Sequence, residues 1–213
     1  MIVTEAVSAY LAGLRPDPDP VLAEMEAHGA RESVPIVVPQ TGRLLQVLAL
    51  CRGARRIVEV GTAIGVSTLY LARALPEDGS ITSFEVDPER HAAARGYLER
   101  AGVIDRVDLR LEDARTGLAS LDPASFDFAF LDGVKAQYGD YLEQALPLIV
   151  PGGVLAVDNV LLSGTVADGH DDGRRADERA AGMREFNARL LSDERFIGTV
   201  TPVGDGVLVA VRR

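Results

Sequence analysis

The 213-residue chain has no tryptophan, one cysteine, three histidines and only 5% aromatic residues. A single cysteine excludes an internal disulfide. Cys51 sits in the helix-like stretch TGRLLQVLALCRG (41–53), which reads as a buried structural thiol in a reducing cytoplasm. With so few thiols and imidazoles there is no Cys/His cluster of the kind that holds zinc. Long apolar runs are missing too, and none approaches the roughly 18–20 residues of a bilayer span. The N-terminal MIVTEAVSAYLAGLRPD carries Glu5 and lacks a basic leader, so it does not read as a signal peptide. Positive charge is short: 22 Lys and Arg stand against 32 acids, for a net charge of −10. That balance disfavours a broad phosphate-binding face for nucleic acid, and RGARR (52–56) reads as solvated charge at a helix end. What remains, 47% hydrophobic and 25% charged, suits one globular domain over 1–213.

The first forty residues read as a helical extension broken by RPDPDP (15–20), where alternating prolines forbid helix continuation. The proline-bounded SVPIVVPQTG (33–42) leads into a helix around 40–52. Short apolar strands then alternate with amphipathic stretches. Strands are expected at 56–60, 80–86, 106–111, 126–131 and 153–158, with helices at 65–75, 88–101, 113–120 and 136–146 between them. Such alternation predicts an α/β, Rossmann-like parallel sheet with helices on both faces. After a helix near 174–193, FIGTVTPV and GVLVAVRR are joined around Asp205-Gly206, a hairpin signal that makes the final pair antiparallel.

VEVGTAIGVST (58–68) puts Gly61 at a strand end and Gly65 at a helix start. Gly61 permits a tight turn and close approach of a ligand, but the spacing is not the G-x-G-x-x-G dinucleotide fingerprint. The next strand ends in FEVDP, where Asp87 suits the helix cap and Glu85 the two hydroxyls of a ribose. In LEDA (111–114), Asp113 is either an acceptor for an adenine amino group or a helix cap. Glu59, inside the strand leading to Gly61, suits a cationic ligand that needs compensating charge rather than a phosphate nest. S-adenosylmethionine (SAM) has ribose, adenine and cationic groups and no phosphate, which separates it from NAD.

FDFAFLDGVKAQY (126–138) is an apolar run ending at Asp132, with Lys135 three residues on. The following strand ends at Asp158, with Asn159 beside it. Neighbouring strands lie about 4.8 Å apart, so the two tips can share one ion. Two carboxylates and an amide oxygen suit Mg²⁺, Ca²⁺ or Mn²⁺ better than zinc. One aspartate at a strand tip is usually a cap or turn residue; two on adjacent strands, with Asn159 and Lys135 near them, point to a site. Beside a divalent cation the ammonium form of a lysine is disfavoured, which makes Lys135 a candidate proton acceptor.

Together these residues resemble the cation-dependent O-methyltransferases of the catechol and caffeoyl-CoA group, within the class I SAM-dependent methyltransferases. The resemblance runs over about 34–211. VEVGTAIGVST resembles the SAM-binding motif, FEVDP the ribose-binding tip and LEDA the adenine loop. LDGVKAQY resembles D-A-D-K-x-x-Y, and GGVLAVDNVLLSGTV resembles G-G-x-x-x-x-D-N-x-L-W-x-G-x-V. MREFN (183–187) and PVGDGVLVAV (202–211) resemble the C-terminal region. The resemblance implies a seven-stranded sheet with its last strand antiparallel. It implies Asp132, Asp158 and Asn159 as metal ligands and Lys135 as catalytic base. It places Val37, Glu59, Gly61, Ser67, Glu85, Ala114 and Asp132 around SAM. A homodimer is also implied, with residues 1–40 shaping the acceptor site or the dimer interface. Val134 replaces the second acid of D-A-D-K and Leu162 the tryptophan, so aromatic packing around cofactor or acceptor must differ.

The expected reaction is Mg²⁺-dependent transfer of the SAM methyl to a hydroxyl of a small catechol-like phenolic acceptor. Methylation of a tRNA wobble hydroxyuridine is the rival within the same chemistry, disfavoured by the acidic balance. A SAM- or nucleoside-binding module without catalysis is the rival of another class, and an NAD oxidoreductase is opposed by the missing third glycine. SGTVADGHDDGRRADE (163–178) reads as a solvated flap over the acceptor pocket, with His170, Asp171 and Asp172 as a conceivable second metal site.

Overall fold

A computed structural model describes residues 4–168 and 174–213, so the trio His170, Asp171 and Asp172 lies outside the described residues. The chain opens with helices α1 (Glu5–Gly13), α2 (Pro20–Glu32) and α3 (Pro39–Arg52). The proline run sets the second boundary. Asp19 accepts from the N–H groups of Val21 (3.1 Å) and Leu22 (3.2 Å), and Pro20, with no N–H to satisfy, takes the first helical position.

The alternating section follows: β1 (Arg56–Val60), α4 (Val66–Ala72), β2 (Ser80–Glu85), α5 (Pro88–Arg100), β3 (Val107–Leu111), α6 (Ala114–Ala119) and β4 (Phe126–Leu131). A one-turn 3-10 helix, Lys135–Gln137, then precedes α7 (Tyr138–Ala145), β5 (Ile149–Val157) and α8 (Thr165–Asp168). Helix α9 (Arg174–Ser192) leads into β6 (Phe196–Thr201) and β7 (Val207–Arg212). Among the described residues the strands form one seven-stranded sheet in the order β3-β2-β1-β4-β5-β7-β6. Strands β1 to β5 pair in parallel, and β7 inserts between β5 and β6 antiparallel to both. The expected hairpin is therefore present.

The central strands are buried on both faces, as a doubly covered parallel sheet requires. Ile57, Phe128 and Phe130 pack with Leu45 of α3 and Leu69 of α4 on one side. Val58, Val60, Ala129 and Leu131 pack with Leu142 of α7 and Met183 and Phe186 of α9 on the other. No helix among the described residues is long and apolar enough to cross a membrane.

Strands β1 and β4 match the sequence reading residue for residue; two other expectations are corrected. Strand β5 begins at Ile149 rather than 153, because Pro151 and Gly152 do not end it: both are exposed, Gly152 takes φ +77°, and the register with β4 shifts between Phe126 and Phe128. The irregularity absorbs residues that read as a turn. Cys51 is exposed, not buried. Helix α3 buries Thr41, Gly42, Leu45 and Ala49, and two residues beyond Ala49 is a rotation of about 200° on a helix, which faces Cys51 to solvent.

Candidate active site

Strand order reverses between β1 and β4, so their carboxyl ends open a crevice at the switch point. A cavity of about 940 Å³ fills it, near the upper end of the roughly 300–1,000 Å³ range of small-molecule sites. Its walls are the segment 35–38, the turn after β1, the tips of β2 to β5, the Lys135 turn and the loop after Asp158. Of residues 1–40, Pro35 to Val38 lie in this wall, between α2 and α3.

Gly61 joins the two halves of the site. It takes φ +93°, and a Cβ there would press on the Asp132 carbonyl group, whose carbon lies 2.8 Å from that point. Only glycine lets β1 turn so close to the tip of β4. Glu85 lines the cavity, and its carboxylate is fixed by three backbone donors. Oε2 accepts from Ala63 (2.8 Å), and Oε1 accepts from Val86 and Asp87 (both 2.9 Å). A carboxylate has about four acceptor directions, so one remains for a ligand hydroxyl.

Asp87 caps α5, accepting from Glu89 (2.9 Å) and Arg90 (3.1 Å). Asp113 likewise caps α6 through Arg115 N–H (2.8 Å) and pairs with the Arg115 guanidinium (2.7 Å), which favours its capping role. Ala114, the first residue of α6, is in the cavity wall. Val37 and Ser67 are buried and border a small adjoining recess with Gly61, Thr62 and Asp132.

Glu59 is not brought to the cavity surface. It shares the Ile57 face of β1 and is fully buried, where Thr68 of α4 (2.5 Å) and Ser83 of β2 (2.6 Å) donate to Oε2. Its Oε1 is buried without a partner. Burial pushes this carboxyl above the ordinary range, opposed by the hydroxyls of Ser67, Ser83 and Thr68.

Asp132 and Asp158 follow the paired residues Leu131 and Val157 at adjacent strand tips. The Asp132 N–H donates to Val60 (2.9 Å) and the Asp158 N–H to Leu131 (3.1 Å), so both tips are held by the sheet. Lys135 Nζ donates to Asp132 Oδ1 at 2.6 Å. The Asn159 N–H donates to Asp158 Oδ1 (2.8 Å), and the buried Tyr138 hydroxyl donates to the Asp158 carbonyl (2.9 Å). Asn159 takes φ +58°, a left-handed conformation that Asn tolerates better than most residues, and faces the cavity.

Both carboxyls are raised above their ordinary values. Burial is the main cause for Asp132, opposed by the nearby Lys135 charge. Burial and then the Asp132 charge lift Asp158 to about 7. Two buried carboxyls, one of them raised by the charge of the other, form a place for positive charge. Among the described residues no group of three or more His, Cys, Asp or Glu is placed to hold a metal ion. The donor set is two acids and the Asn159 amide, a hard oxygen set that fits Mg²⁺, Ca²⁺ or Mn²⁺.

Two wall residues were not singled out in the sequence, Val86, apolar yet 65% exposed, and Arg179 of α9; Val134, marked there as a departure from the D-A-D-K motif, is 56% exposed in the same wall. Helix α9 is tied to the site by MREFN. The Phe186 and Tyr138 rings lie 5.6 Å apart, and Asn187 Nδ2 donates to the Val160 carbonyl at 2.9 Å.

The sequence model of a family described as O-methyltransferase matches residues 16–213. The chain is 33% identical over 219 residues to a catechol O-methyltransferase of Niastella koreensis, covering 98% of this chain and 97% of that one. It is 36% identical over 183 residues to tricin synthase 2 of Oryza sativa subsp. japonica, covering 82% of this chain but only 62% of the plant protein's length. Among solved structures, an O-methyltransferase from Bacillus cereus in complex with S-adenosylhomocysteine (SAH) superposes with TM-score 0.83 at 32% identity, over 98% of this chain and 97% of that one.

Proposed function

The chain belongs to the O-methyltransferase family, as a SAM-dependent enzyme of the caffeoyl-CoA and catechol type, and from that membership we propose that it methylates one hydroxyl of a small vicinal diphenol in a reaction requiring a divalent cation. The observation that carries the reading is the convergence of Asp132, Asp158, Asn159 and Lys135 on one cavity beside the Gly61 turn.

Asp132, Asp158 and Asn159 would hold the cation, which when bound supplies a Lewis acid that lowers the pKa of a neighbouring hydroxyl. Gly61, Glu85, Ala114 and Ser67 would seat SAM in the half of the crevice toward β2 and β3. Lys135 then takes the hydroxyl proton. The acceptor oxygen forms a bond to the methyl carbon as the carbon–sulfur pair returns to sulfur, leaving SAH and a protonated Lys135. The two binding halves fix the in-line approach, and orientation of that kind supplies much of the acceleration in a bimolecular transfer.

Methyl transfer from SAM to catechol, caffeoyl esters and a hydroxyuridine-containing tRNA, each in Mg²⁺ and in EDTA, tests the reading. The expected result is methylated diphenol in Mg²⁺, none in EDTA, and no methylated tRNA. Turnover on tRNA alone, or transfer indifferent to EDTA, would overturn it.

A further inference from the structure

Helix α9 buries one stripe at helical spacing: Met183, Phe186 and Leu190 are 3%, 7% and 1% exposed. Arg179 lies one turn before Met183 and continues that stripe, since residues at i, i+4, i+7 and i+11 share a helix face. There the stripe runs out from the core and over the cavity, so Arg179 becomes part of the wall. A position serving only packing would carry an apolar residue. Ala180 beside it does, at 1% exposed, whereas Arg179 is an exposed side chain at the rim of the cavity.

The position is also defined along the cavity. Asn187, bonded to the Val160 carbonyl, and Phe186, against Tyr138, fix α9 to the loop that carries Asp158 and Asn159. The Arg184 guanidinium donates to the Val166 carbonyl at 3.3 Å, in α8, which follows that loop. Arg179 therefore belongs to the acceptor end of the crevice, with Ser163 and Thr165, and not to the end with Glu85 and Ala114.

The remaining wall charge at that end is acidic: Asp132, Asp158 and Asp205. Lys135 is committed to Asp132 at 2.6 Å. An acceptor with a negative group away from its reacting hydroxyls would meet repulsion unless one wall cation faced that group. Arginine offers a planar fork of donors that matches a carboxylate in two parallel hydrogen bonds.

We propose that Arg179 binds a carboxylate on the acceptor, so that the preferred substrate class is a vicinal diphenol bearing an acid substituent rather than the bare diphenol. This rests on the diphenol reading above and narrows it. Arg179 acts as a specificity residue, taking no proton and touching no reacting atom.

The test compares 3,4-dihydroxybenzoate with catechol at saturating SAM and Mg²⁺, in wild type, Arg179→Ala and Arg179→Lys. The readout is the ratio of kcat/KM for the acid to kcat/KM for catechol. A charge-assisted pair at a partly open site predicts that Arg179→Ala lowers this ratio about tenfold; the loss falls in KM, and Arg179→Lys recovers part of it. Calorimetry with SAH bound should show the Kd ratio for the same two ligands moving alike, independently of turnover. An unchanged ratio, or equal loss on both acceptors, overturns the proposal while leaving the diphenol reading intact. If wild type methylates neither compound, both readings fall.

Discussion

Asp158 offers a sharp test because its burial has opposite consequences for stability and function. Its carboxyl is raised from 3.8 to about 7, first by burial and then by the charge of Asp132. The folded state therefore holds this proton more tightly than the unfolded chain does. Between pH 3.8 and 7 the folded state binds more protons, so stability falls as pH rises through that window. At about 1.4 kcal/mol per tenfold change in proton affinity, the full cost above pH 7 is about 4 kcal/mol, of which about 2–3 kcal/mol accrues between pH 5 and 8. Asp158→Asn keeps an acceptor for the Asn159 N–H and cannot ionise. In EDTA, the variant's melting temperature minus that of wild type should thus rise from pH 5 to pH 8 by about 5–10 °C, taking 2–4 °C per kcal/mol for a domain of this size. Scanning calorimetry or fluorimetry at the two pH values measures it. A difference that stays constant with pH, or a variant that loses ground at pH 8, would refute the argument that Asp158 is a buried carboxyl awaiting a cation.

Lys135→Ala removes the proposed proton acceptor and should lower kcat by about 10²- to 10⁴-fold, the usual worth of general acid–base groups, while calorimetric SAM binding stays within a few-fold; equal loss of both would make Lys135 structural. Gly61→Ala adds a Cβ against the Asp132 carbonyl at φ +93° and should cost about 1–3 kcal/mol of stability, with loss of SAM affinity seen by calorimetry. A variant of wild-type stability and affinity would show that the close approach of β1 and β4 is not needed.

The frame of this fold was legible because its strands are short apolar runs ending at charged or glycine tips. Phe126–Leu131 stops at Asp132, and Arg56–Val60 stops at Gly61, and both strands appear with those bounds. Asp87 and Glu85 were separable because capping has a fixed geometry relative to the proline that starts α5. Legibility failed where a local pattern has two spatial solutions. Pro151-Gly152 reads as a turn, yet β5 carries it at an irregular, exposed stretch. Cys51 looked apolar enough to be buried, but the buried face of α3 passes through Leu45 and Ala49 instead. Glu59 reads as ligand-facing because it precedes Gly61, whereas strand alternation turns it under α4 toward Thr68 and Ser83. Arg179 lay beyond motif reasoning, since nothing local marks it. The signal was its phase with Met183, Phe186 and Leu190, which acquires meaning only once α9 is seen to overhang the cavity.

Titration of the purified protein with Mn²⁺, followed by electron paramagnetic resonance in the presence of SAH, reaches the central arrangement without relying on turnover. The account predicts one bound ion per chain, loss of binding in Asp158→Asn and Asn159→Ala, and a changed spectrum when catechol is added. Absence of a bound ion, or binding that survives both substitutions, would contradict it.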